Sequence, residues 1–121
     1  MITKLLVYGT LKKGYSNHRI LSDATFLQEV IVGPYTMFNL GAYPACTLEP
    51  STMIQAELYE VNKETMDRCD LLEGYPAFYT RHVVRYGPEP GDEAWMYFIN
   101  REKMSPRTPV VETGVWKSKY L

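Results

Sequence analysis

Apolar and polar positions alternate with a period of two along most of the chain. Residues i and i+2 of a strand share a face, so this pattern predicts strands. The first runs from Thr3 to Tyr8, with Leu5 and Val7 on one face and Leu6 and Tyr8 on the other. Ala24 to Val32 is predicted as a second, closed by Gly33-Pro34, where proline cannot donate to a ladder. Tyr35 to Leu40 is predicted to pair with it, and Cys46-Thr47-Leu48 as a short strand beyond the corner at Gly41 and Tyr43-Pro44-Ala45. Met53 to Val61 alternates clearly, with Ile54, Ala56 and Leu58 against Gln55, Glu57 and Tyr59. Tyr79 to Tyr86 and the doubly apolar Ala94 to Ile99 flank the Gly87-Pro88-Glu89-Pro90-Gly91-Asp92 loop and predict a hairpin.

The helical period takes over in two places. Asn17 offers an N-cap for one or two turns over His18-Arg19-Ile20-Leu21. The better-defined helix spans Lys63 to Glu73. Asn62 caps it, Val61 and Met66 fit a hydrophobic staple, Glu64 and Arg68 stand one turn apart, and Gly74 stops it. Met66, Cys69 and Leu72 form its apolar side, and Asp67 and Asp70 its solvated face. Six or seven strands with one main and one short helix predict an α+β fold, a small mixed β-barrel in a single domain spanning residues 1–121. Residues 101–121 are polar and proline-bearing and read as a loosely docked tail, with Trp116 either on the domain or free.

Composition narrows the function classes. The chain has 121 residues, 45% hydrophobic and 22% charged, which suits one core. A formal net charge of −1, with Lys12-Lys13 the longest basic run, argues against nucleic acid as a partner. No apolar run is long enough for a membrane span or a secretion signal, so a cytoplasmic protein is expected, and a monomer is the default at this size. Cys46 and Cys69 are far apart and read as packed, reduced thiols; with only His18 and His82 besides, no metal-ligand spacing emerges.

Candidate chemistry collects at two places. Tyr8-Gly9-Thr10-Leu11 follows a strand directly, and a strand breaking into a glycine turn clusters backbone N–H groups without ladder partners. Glu73 lies one helical repeat from Met66, facing the core at the negative end of the helix dipole. Burial and dipole would both raise its pKa toward that of a neutral-pH acid/base; alternatively the helix has ended and Glu73 swings into water. Tyr79 and Tyr97 are candidate pocket hydroxyls. Arg81 and Arg85 either pair with a substrate carboxylate or cover an exposed face.

Four ordered pieces carry a resemblance: Val7-Tyr8-Gly9-Thr10-Leu11-Lys12 with Gly14 and Asn17-His18; Gly41 with Tyr43-Pro44-Ala45; Glu57-Leu58-Tyr59; and Leu72-Glu73-Gly74-Tyr75-Pro76 with Tyr79 and Arg81. Together they resemble the γ-glutamylcyclotransferase-like superfamily, most closely its γ-glutamylamine cyclotransferase (AIG2-like) branch. The resemblance implies a small β-barrel, a loop of Tyr8, Gly9, Thr10 and Leu11 that binds a small γ-glutamyl substrate together with Tyr79, and Glu73 as acid/base. It implies release of 5-oxoproline and a free amine without metal or cofactor. Two alternatives stand beside it. One is a cyclotransferase acting on γ-glutamyl amino acids, glutathione or a biosynthetic intermediate; the other is a non-catalytic small-molecule or protein-binding barrel.

Overall fold

The computed structural model describes residues 2–117. Five strands form one mixed sheet: β1 (Ile2–Val7), β2 (Thr25–Asn39), β3 (Pro44–Asn62), β4 (Tyr79–Arg85) and β5 (Glu93–Ile99), in the order β2-β3-β1-β5-β4. β1 is central, antiparallel to β3 and parallel to β5. β4 and β5 form the expected hairpin. One α-helix, α1 (Lys63–Glu73), follows β3, and single 3-10 turns cover His18–Leu21 and Arg101–Lys103. No helix among the described residues is long and apolar enough to cross a membrane.

Two expectations are corrected. The strand count is five, and the sheet is open, with β2 and β4 as its edges. The surplus strands are halves of two long ones. Tyr35–Leu40 does not pair with Ala24–Val32. From Thr25 through Asn39, both belong to β2, and they pair with opposite halves of β3, Thr36 with Thr47 and Val32 with Ile54. Gly33-Pro34 and Glu49-Pro50-Ser51 mark the places where the ladder shifts register, not the ends of strands. A bulge bends a strand without ending it. Thr36 Oγ1 donates to the Glu49 carbonyl at 2.8 Å and ties the bend together.

The alternation read from the sequence sorts the core into two layers. Leu5, Val7, Tyr59, Val61 and Ile99 pack with Met66 and Cys69 on the helix side. Leu6, Ile54, Leu58, Met96 and Phe98 pack on the other side, where Trp116 is also buried. Leu72 departs from the expected helix face and is 40% exposed. The segment after Met104 is held by backbone bonds, Val111 N to Met37 O and Gln55 N to Gly114 O. Gly114 lies at φ +71, with Met53 O where a Cβ would stand. The last four residues of the predicted tail, 118–121, lie outside the described residues.

α1 behaves as its caps require. Asn62 Oδ1 accepts from Thr65 N at 2.8 Å, and Gly74 takes the left-handed conformation at φ 65. The expected Glu64–Arg68 pair is replaced: Arg68 reaches Thr65 Oγ1 at 3.1 Å and Asp23 at 3.8 Å. The register explains where the helix ends. Asn62 stands opposite Ile2, at the start of β1. Eleven helical residues then run about 16 Å, and the six of β1 about 20 Å. A helix laid back along β1 therefore delivers its last residue beside the loop leaving β1.

Candidate functional site

That loop and that last residue share a cavity of about 330 Å3, at the small end of ligand pockets. Tyr8, Gly9, Thr10 and Leu11 line one part of it, Glu73 and Leu72 another, and Tyr79 and Tyr97 come from β4 and β5. The loop residues, Glu73 and the two tyrosines expected from sequence therefore line one pocket, while Arg81 and Arg85 do not. Tyr43, Pro44 and Phe78 complete the wall.

The loop is braced from several sides. Asn17 stands at the N-cap of the 3-10 turn, but its side chain does not cap it: Nδ2 donates to Thr10 Oγ1 at 2.9 Å and its N–H to Thr10 O at 2.9 Å. His18 Nδ1 meets Leu11 O at 2.8 Å. Glu57 Oε1 accepts from Lys13 N at 3.0 Å and from Tyr59 Oη at 2.9 Å. Behind the loop, the buried Lys12 Nζ donates to Trp116 O at 2.9 Å, and Tyr15 Oη donates to the same carbonyl at 3.1 Å. Among the described residues, the N–H groups of Gly9, Thr10 and Leu11 have no protein acceptor. Three unpartnered donors on a braced turn suit a carboxylate or an oxyanion. Gly9 has a steric reason as well, because a Cβ there would stand 2.8 Å from Pro44 Cγ and Cδ.

The tyrosines are pins. Tyr8 Oη donates to Tyr97 O at 2.9 Å and accepts from Cys46 N at 3.0 Å. Tyr79 Oη donates to Pro44 O at 2.6 Å, and Tyr97 Oη to Asp70 Oδ1 at 2.7 Å. Burial pushes all three phenols upward, away from neutral pH. It likewise pushes up the Cys46 thiol, and Cys69 to about 12, so neither cysteine is a ready nucleophile.

Glu73 differs from all of these. Its side chain is half-buried, and burial pushes its carboxyl up from 4.5 to about 7. It is thus the pocket group poised to take and return a proton near neutrality. The same shift carries a stability cost. Between pH 4.5 and 7 the folded chain binds this proton more tightly than the unfolded chain does. Stability therefore falls as pH rises through that window. Glu73→Gln is expected to be more stable than wild type at pH 8, by on the order of 1 kcal/mol after allowing for solvent screening, with the gap closing toward pH 4. Thermal unfolding of both proteins across pH checks this; a gap that ignores pH contradicts it.

Two residues missed by the sequence reading matter here. Pro44 packs on Gly9 and holds the Tyr79 hydroxyl; its signal was the Tyr43-Pro44-Ala45 piece. Asp70 is not on a solvated face. It accepts from Arg81 Nε and a terminal guanidinium nitrogen at 3.0 and 3.1 Å, and from Tyr97. Arg81 is thereby turned away from any substrate role, and Arg85 reaches the carbonyls of Gly87 and Pro88 in the hairpin turn. Among the described residues, no group of three or more His, Cys, Asp or Glu is placed to hold a metal.

Comparison with known proteins points one way. A family model described as gamma-glutamyl cyclotransferase, AIG2-like, matches residues 5–118. A Vibrio cholerae protein provisionally named a gamma-glutamylcyclotransferase is 31% identical over 113 residues, covering 93% of each chain. Over 72 residues, 59% of this chain and 46% of the other, the gamma-L-glutamyl-butirosin B gamma-glutamyl cyclotransferase of Niallia circulans is 39% identical. The crystal structure of an AIG2-like protein from Mus musculus superposes with a TM-score of 0.74 at 25% identity, covering 93% of this chain and 87% of that one. The chain belongs to the AIG2-like gamma-glutamyl cyclotransferase family.

Proposed function

We propose that this pocket cyclises γ-glutamyl amides, releasing 5-oxoproline and a free amine, with Glu73 as general acid/base. One observation carries the reading: a carboxyl poised near pH 7 lines the same small cavity as a loop whose Gly9, Thr10 and Leu11 N–H groups have no protein acceptor among the described residues. Such a substrate brings its own nucleophile, the α-amine, so the protein need not supply one. Folding the chain back on itself is an orientation effect. The amine nitrogen bonds to the γ-carbonyl carbon while Glu73 takes its proton. The carbonyl oxygen becomes an oxyanion, and the N–H groups of Gly9, Thr10 and Leu11 hold it, or the substrate's α-carboxylate, or both. The bond to the leaving nitrogen then breaks, and Glu73 returns the proton to that nitrogen. The aromatic wall of Tyr43, Phe78 and Tyr79 shields the site, and the Tyr79 hydroxyl, already donated to Pro44 O, leaves the proton traffic to Glu73.

The cycle requires neither metal nor cofactor, and the substrate is a small molecule met in the cytoplasm by a monomer. The test is incubation with γ-glutamyl-ε-lysine, γ-glutamyl α-amino acids and glutathione while 5-oxoproline is followed. Release from at least one is expected, with γ-glutamyl-ε-lysine preferred over glutathione. Binding of γ-glutamyl compounds without any release would favour a non-catalytic binding domain instead.

A further inference from the structure

We propose that Arg81 is the positioning residue of the site: one guanidinium grips the residues on both sides of Glu73 and thereby fixes where its carboxylate sits. The inference rests on the acid/base reading of Glu73. Asp70 lies one turn before Glu73 and Tyr75 two residues after it. Arg81 holds the first through paired bonds of 3.0 and 3.1 Å, and its Cζ lies 4.4 Å from the ring centre of the second. Trp95 of β5 packs on the guanidinium at the same distance, 4.4 Å. Asp70 is also fixed at its backbone, where its carbonyl accepts from Tyr75 N at 3.0 Å and caps the helix. Tyr97, a wall of the cavity, closes the arrangement with its 2.7 Å bond to Asp70.

Glue for the fold is a poor account of this pair. Its side chains are 16% and 17% exposed, and ion pairs that far from water contribute little net stability compared with apolar residues of similar volume. What a bidentate pair supplies is geometry. The pair also carries no net charge, so its effect on Glu73 is through position. The titratable groups facing Glu73 are Cys69 of α1, Tyr8 of the loop, Tyr79 of β4 and Tyr97 of β5. All four keep their protons at neutral pH, so burial alone holds the carboxyl up.

The test uses Arg81→Lys, which keeps the charge and loses the fork, and Asp70→Asn with Arg81→Met, which removes both charges together. Tyr75→Leu, which removes the ring lying under the guanidinium, serves if either of these does not fold. Two readouts are taken on folded protein: 5-oxoproline release across pH, and a carbon NMR titration of the Glu73 carboxyl. A kcat lower by about 10- to 100-fold with KM within about twofold is expected, since a misplacement near 1 Å costs that much. The Glu73 midpoint is expected to move from about 7 by a unit or more toward the ordinary carboxylate value as the loosened helix end admits water. An unmoved midpoint in folded variants overturns the proposal, as does a moved midpoint with unchanged kcat. If the wild type releases no 5-oxoproline at all, the reaction is wrong, while the titration still decides what Arg81 does.

Discussion

Glu73→Gln is expected to fold as the wild type does and to release 5-oxoproline about 10^2- to 10^4-fold more slowly, the range that a positioned acid/base contributes. The amide keeps the size and shape of the side chain, can still hydrogen-bond, and cannot take up or return a proton near neutral pH. The loss should fall on kcat, because the loop donors still bind the γ-glutamyl group. In the wild type the same group is expected to set the acid limb of the rate profile. With the carboxyl poised near 7, activity should rise as pH rises through that value, because the unprotonated form is the base that starts the cycle. A variant that keeps its turnover removes Glu73 from the mechanism. The gain in stability expected of this variant above pH 7 would make it an example of an active site that trades stability for activity.

Gly9→Ala is expected to lower kcat/KM about 100-fold, through displacement of the loop. The new methyl would meet the Pro44 ring at 2.8 Å. Pro44 has little room to retreat, because its carbonyl accepts from Tyr79 and it stands at the start of β3, paired with Asn39. The loop moves instead, and with it the three donors assigned to substrate. A shift near 1 Å at such donors costs about that factor, and the overpacking itself costs about 1–3 kcal/mol of stability. Adding Pro44→Ala removes the ring atoms that clash and should restore part of the activity. If Gly9→Ala alone leaves kcat/KM unchanged, the loop does not hold the reacting group.

These expectations depend on features that differ in how well local sequence encodes them. Period-two alternation around Leu5–Tyr8, Met53–Val61 and Ala94–Ile99 reports burial, and burial is what sorts the two core layers. Caps at Asn62 and Gly74 are local chemistry, and α1 begins and ends where they say. Gly33-Pro34 and Glu49-Pro50 misled because a bulge and a turn use the same residues; only the partner strand tells them apart. That is why six or seven expected strands became five, and a barrel became an open sheet. Asn17 misled in the same way, since a good capping residue is also a good brace, and Thr10 seven residues earlier claimed it.

The meeting of Tyr8–Leu11 with Glu73 was legible through the ordered motifs, not through any local pattern. The Asp70–Arg81 pair was invisible, because which charged residue of a helix turns inward depends on what the next strand offers. Tyr79 and Tyr97 line the pocket as expected, and what each hydroxyl bonds to is hidden for a similar reason. A sequence shows that a hydroxyl exists, not that a carbonyl or carboxylate has already taken its proton.

Cyclisation by the substrate's own amine is distinct from hydrolysis at the same carbonyl. The decisive measurement is a full product balance from the wild-type protein acting on a γ-glutamyl amide, with 5-oxoproline, free amine and glutamate quantified in one reaction. Cyclisation by Glu73 predicts 5-oxoproline and amine in equal amounts, no glutamate, and release about 10^2- to 10^4-fold slower with Glu73→Gln in its place. Glutamate in place of 5-oxoproline, or equal release by the Gln variant, would contradict it.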